Sequence, residues 1–113
     1  MKTKRSKKNQ AIDSFIKKLQ GHSPGHITNV KLFGSCARGD NTEYSDIDLL
    51  IVVKQKDWDT WFAIQRLASE VSLNYDLLLS TLIMSDKHFE YLNQKNSPLI
   101  RQIYGQGKEL WLK

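Results

Sequence analysis

The chain has 113 residues, enough for one hydrophobic core and too few for a catalytic domain joined to a separate nucleic-acid-binding domain. A single cysteine excludes an internal disulfide, and no apolar stretch approaches a membrane span or a signal-peptide core, so a soluble, cytoplasmic protein is expected. The net charge of +5 is local: Lys2, Lys4, Arg5, Lys7 and Lys8 precede residue 9 and the rest balances at twelve basic against twelve acidic residues, so residues 1–8 read as a disordered basic tail in preference to a nucleic-acid site.

Residues 9–113 read as one domain. Ala11, Ile12, Phe15, Ile16 and Leu19 recur at spacings of three and four, which predicts an amphipathic helix of about ten residues ending near Gly21. His22 to His26, with Pro24 and Gly25, reads as a loop. Val30 to Phe33 predicts a first strand that delivers Gly34-Ser35 at its end, and Asp40 to Ser45 is a polar connection. Asp46 to Val53 predicts the second strand, because Ile47 to Val53 is a nearly unbroken apolar, branched run of the kind buried on both faces. Asp57 is placed to cap a helix whose stripe of Trp58, Trp61, Phe62, Ile64, Leu67, Ala68 and Val71 would cover a sheet. Tyr75 to Leu79 predicts the third strand. Ser85 or Asp86 would cap a helix carrying Phe89, Tyr91 and Leu92, and Pro98 opens a last short helix with Leu99, Ile100, Ile103 and Tyr104. Gly105 to Gly107 then turns the chain into an edge strand over Glu109 to Leu112. The sum is an α/β fold, a small sheet with helices packed mainly on one side. The sheet should be mixed, since the link across residues 34–45 is too short for a helical crossover.

The chemistry concentrates between Phe33 and Leu50. Asp46 and Asp48 sit two apart at a strand start, so the period of two sends both carboxylates to one face. Two like charges held that close repel, and a divalent cation removes the repulsion. Few, hard oxygen ligands at a sheet edge favour Mg²⁺ that keeps several waters and shares its other positions with substrate phosphates. Gly34 lets backbone N–H groups approach phosphate oxygens, Ser35 adds a hydroxyl donor, and Cys36-Ala37-Arg38 could open a short helix whose N-terminus favours an anion. Arg38 suits a phosphate contact about as well as an ion pair with Asp40 or Asp46. Gly34-Ser35 alone is a common turn, and Asp46 and Asp48 alone could be polar strand-start residues; in this order and spacing they point to a metal-bound triphosphate.

Gly34-Ser35, Asp46-Ile47-Asp48, and Ala37-Arg38-Gly39 between them resemble the nucleotidyltransferase superfamily that includes DNA polymerase beta-like enzymes. Within it the short chain is similar to the minimal nucleotidyltransferases, antitoxin partners of HEPN-domain toxins. The resemblance implies a third acid on a later strand. Asp76, the only charge in Asn74-Tyr75-Asp76-Leu77-Leu78-Leu79, is preferred over Glu70, which lies on the polar side of a helical stripe; a lone carboxylate in a buried run needs metal or donors to compensate it. The resemblance further implies transfer of AMP from ATP to a hydroxyl, with two Mg²⁺ ions on Asp46, Asp48 and Asp76, and with Gly34, Ser35 and Arg38 holding the phosphates. The implied acceptor is a tyrosine of a HEPN-type RNase toxin, which the transfer would neutralise. Two other functions fit the same chain: an antitoxin that only binds, and a transferase acting on a small molecule or an RNA end. His22, His26 and His88 have no ligand-like spacing, Trp58, Trp61 and Trp111 read as core anchors, and Cys36 reads as a small turn residue.

Overall fold

The computed structural model describes residues 7–22, 25–34 and 46–112. Helix α1 (Lys7–His22) buries Ala11, Ile12, Phe15 and Leu19, the spacing that predicted it. It starts earlier than expected: Lys7 and Lys8, assigned above to the tail, form its first turn. Lys7 Nζ donates to the Asp76 carbonyl at 3.3 Å. That long-range tether is invisible in the local sequence.

Strand β1 (Ile27–Phe33) begins three residues before the predicted Val30. The added residues are held by pairing: Ile27 faces Val53 in the ladder, and the Thr28 hydroxyl donates to the Val52 carbonyl at 3.3 Å. β1 runs antiparallel to β2 (Ile47–Val53), as the short link between them requires. Helix α2 (Trp58–Tyr75) then crosses back, so that β3 (Leu79–Ser85) lies parallel to β2 in the register Asp48 to Ser80. Helices α3 (Asp86–Gln94) and α4 (Pro98–Gln106) follow, and β4 (Lys108–Leu112) pairs antiparallel with β1 as an edge strand. The sheet order is β3-β2-β1-β4, mixed as expected.

The caps follow simple chemistry. Asp57 accepts the Thr60 N–H at 2.8 Å at the start of α2, and hydrogen bonds from Thr60 hold its carboxyl below the usual carboxylate value. Ser85, not Asp86, caps α3 through the His88 N–H, and Ser97 caps α4 ahead of Pro98.

β2 is buried on both faces, which is why its sequence is a continuous apolar run. Ile47, Leu49, Ile51 and Val53 join α1 and α2 in the larger cluster with Phe15, Leu19, Ile64 and Val71. Leu50 and Val52 join Met84 and Ile103 in a smaller one, against which Phe89, Leu92 and Leu99 pack. The two long helices thus cover one face, and the two nine-residue helices lie against the other. Among the described residues no helix is long and apolar enough to cross a membrane.

Two expectations are corrected. The run Tyr75 to Leu79 is not the third strand: Tyr75 extends the Leu67, Ala68, Val71 stripe by one more turn, and the strand begins only at Leu79. The turn between is fixed by Ser72, whose hydroxyl donates to the Ala68 carbonyl at 2.8 Å and accepts from the Leu79 N–H at 3.1 Å. Trp58 is not a core anchor; it is 74% exposed, with Phe62 at 56%, because these two residues, four apart, share the side of α2 turned away from buried Thr60 and Ile64. Trp61 alone of that cluster packs against the core, edge-on to both neighbours.

Candidate active site

Gly34 ends β1 with φ at 74°, the left-handed region, and is buried. Its neighbour Phe33 is the ladder partner of Asp48. A Cβ on Gly34 would lie 3.1 Å from Asp48 Cγ and collide with Oδ2. Only a residue without a side chain allows this backbone to close on the carboxylate, so the Gly34 signal read from the sequence has a specific physical cause.

Asp48 is half-buried at the first turn of the β2 pleat, and Asp46, one residue ahead of the strand, is exposed. The alternation along β2 puts Asp48 on the face of Leu50 and Val52, the one covered by the short helices. The Ile47 N–H donates to the Leu78 carbonyl at 3.0 Å, so the backbone carrying the two acids is tied to the lead-in of β3. Lys31, on the same sheet face as Phe33, is engaged by Glu109 at 2.9 Å and lies 5.4 Å from the Tyr104 ring centroid. Its charge is committed to tying β4 and α4 to β1.

The structure thus brings together Gly34, Asp46 and Asp48. Asp76 does not complete the group here: it is the C-cap of α2, exposed, with φ 52° and ψ 53°, and its N–H donates to the Ser72 carbonyl. Asp76 is therefore not a buried strand residue: aspartate is among the few residues that tolerate the left-handed turn ending a helix. No three His, Cys, Asp or Glu side chains among the described residues form a metal-binding group. Glu70, the competing acid, pairs with Lys18 of α1 at 3.3 Å, bridging α1 and α2. Ser35 and Arg38, assigned to the phosphates, and Cys36 lie outside the described residues. What the sequence did not mark is the stretch of β3 beside the acids, where Leu78 and Ser80 stand exposed on either side of buried Leu79. Only the correct start of β3 reveals it.

Chemically, two carboxylates at the end of a rigid central strand, with a glycine backbone closed against one of them, suit a hydrated divalent cation and the phosphates it carries. The chain is similar to several known proteins. MJ0604 of Methanocaldococcus jannaschii, which carries a protein adenylyltransferase name, is 36% identical over 103 residues, covering 90% of this chain and 96% of its own. A toxin-antitoxin crystal structure with AMP-PNP superposes with a TM-score of 0.60 at 25% identity, covering 89% of this chain and 73% of that one. The fold also matches, at 22% identity and a TM-score of 0.53, the complex of a tri-AMPylated Shewanella oneidensis HEPN toxin with its MNT antitoxin, over 93% and 72% of the two chains. The family described as the nucleotidyltransferase domain matches residues 12–104, from within α1 to within α4 and across Gly34, Asp46 and Asp48. With a mixed sheet, a glycine closed on an aspartate and two acids at the strand start, the chain belongs to the nucleotidyltransferase domain family.

Proposed function

We propose that this chain transfers AMP from ATP to a tyrosine hydroxyl of a HEPN-type toxin and thereby neutralises it, with Mg²⁺ held by Asp46 and Asp48. The observation that carries the proposal is the closure of Gly34 on Asp48, which sets a backbone without a side chain directly against one of the two carboxylates. The donor set fits the ion: both ligands are hard oxygens, and nothing soft stands with them among the described residues. Mg²⁺ bound there would polarise the α-phosphate and offset the charge of the departing pyrophosphate. Asp46 and Asp48 fix that position through the strand that carries them. Gly34, with Ser35 and Arg38, holds the β- and γ-phosphates. Asp76 orients the acceptor hydroxyl and takes its proton, a task that an exposed carboxylate just ahead of β3 can perform without being a metal ligand. Two features support a protein acceptor: the protein adenylyltransferase name of the 36% identical relative, and the toxin-antitoxin assembly that shares the fold at 25% identity. An ATP-dependent reaction on an RNase places the work in the cytoplasm.

The test is the mass of a HEPN-type toxin chain incubated with ATP, Mg²⁺ and this protein. One or more added nucleotide masses, absent with Asp46→Asn combined with Asp48→Asn, is the expected result. If the double variant still adds a nucleotide, the metal assignment is wrong. Full neutralisation with an unaltered toxin mass would mean that binding alone is the function. Asp76→Asn should lower the rate and leave the Mg²⁺ concentration for half-maximal activity unchanged.

A further inference from the structure

We infer that Leu78 and Ser80 form the acceptor wall of the site and select a hydroxyl carried on an aromatic ring. The inference rests on the transfer reaction proposed above and names residues for its acceptor half.

β2 has a neighbour on each side. On the β1 side Gly34 closes against Asp48, which gives that side to the triphosphate. In an in-line displacement the attacking oxygen and the leaving pyrophosphate lie on opposite sides of the α-phosphorus. The acceptor therefore enters over β3. There Ser80 is the register partner of Asp48, and the Leu78 carbonyl accepts the Ile47 N–H at 3.0 Å, so both residues lie one strand spacing from the acids. Leu79 between them is buried in the larger core, which turns Leu78 and Ser80 to the opposite face, the face of Asp48.

Their chemistry is selective. Leu78 is 55% exposed, an apolar surface that gains by packing against a ring and offers a ribose no hydrogen bond. Ser80 adds one hydroxyl that can donate to or accept from the acceptor oxygen. Residues 76–86 contain no Lys or Arg, and Lys7, which reaches this surface from α1, donates to the Asp76 carbonyl at 3.3 Å, whereas an RNA acceptor would need several cations for its phosphates. In the step itself the phenolic oxygen bonds to the α-phosphorus as the bond to the bridging oxygen breaks. Pyrophosphate leaves with that electron pair, and the phenolic proton passes to the Asp76 carboxylate.

The test uses the full chain with α-labelled ATP, Mg²⁺ and four acceptors: a HEPN-type toxin chain, N-acetyl-tyrosinamide, N-acetyl-serinamide and a short RNA with a free 3′ hydroxyl. Wild type should label the tyrosine compound at least about tenfold faster than the serine compound or the RNA. Leu78→Asn should raise KM for the tyrosine compound about tenfold and leave KM for ATP unchanged, while Leu78→Phe keeps the preference. Ser80→Ala should lower kcat about fivefold, the loss of one hydrogen bond. Preferred labelling of RNA or of serine overturns the inference and leaves the transfer reaction standing, as does a tyrosine preference that survives Leu78→Asn. A wild type that labels none of the four overturns the transfer reaction itself, and the acceptor wall with it.

Discussion

Gly34→Ala strikes the contact on which the site is built. The residue sits at φ 74°, where a Cβ costs about 1–2 kcal/mol in backbone energy alone. For a domain of this size that corresponds to a fall of about 5–10 °C in melting temperature. The added carbon would also stand 3.1 Å from Asp48 Cγ and overlap Oδ2, so either the turn or the carboxylate must move. A displacement of about 1 Å at a reacting centre costs on the order of 100-fold in rate, and a loss of that order is expected in nucleotide transfer at saturating ATP. Gly25→Ala supplies the control. Gly25 has φ 65°, and its Cβ would lie 2.7 Å from the Gln55 carbonyl, but it stands at the opposite end of β1. It should lose comparable stability and keep the transfer rate of whatever fraction remains folded. Gly34→Ala that melts early yet transfers at the wild-type rate would refute the claim that closure on Asp48 matters to the reaction.

Other outcomes are more local. Asp57→Ala removes the cap of α2. Because the folded state lowers this carboxyl below its ordinary value of 3.8, the cap's stabilisation is present above that value and is lost as pH falls through the lower folded one. The gap in melting temperature between wild type and Asp57→Ala should therefore be full at neutral pH and close below about pH 4. Ile51→Ala empties a fully buried position in the central strand and should cost about 2–5 kcal/mol, seen as a lower urea midpoint with an unchanged slope. Glu70→Gln breaks an ion pair whose side chains are 32% and 48% exposed; stability should change by less than about 1 kcal/mol and transfer should keep its rate, separating this acid from Asp46 and Asp48.

The fold was legible where local pattern and tertiary environment agree. β2 announces itself because both its faces are buried, and α1 because its stripe has one periodicity and one core to meet. The mixed sheet followed from a length argument alone: a twelve-residue link from residue 34 to 45 permits an antiparallel neighbour and little else. The third strand was misplaced because Tyr75-Asp76-Leu77-Leu78-Leu79 is apolar at both helical and strand spacing. Its division is decided by the Ser72 hydroxyl and by the ladder with β2, neither of which is local. The same uncertainty carried into the site. Gly34, Asp46 and Asp48 could be found by motif, while Asp76 rested on a burial argument that held only if its strand was right. Trp58 shows the limit of a stripe: an apolar residue at the edge of a broad stripe, with Phe62 one turn on, can face outward while Thr60 takes the buried position in the same turn.

β2 has a paired strand on each edge and a hydrophobic cluster on each face, so its amides can exchange only when the domain as a whole comes apart. The nine-residue helices α3 and α4 are shorter than helices that persist alone, and they rest on the smaller cluster; they should exchange first. The two acids are thus fixed to the slowest-opening part of the molecule, while the helices packed farther along the same sheet face are its fastest. A partner can displace those helices on binding without altering the spacing of the carboxylates.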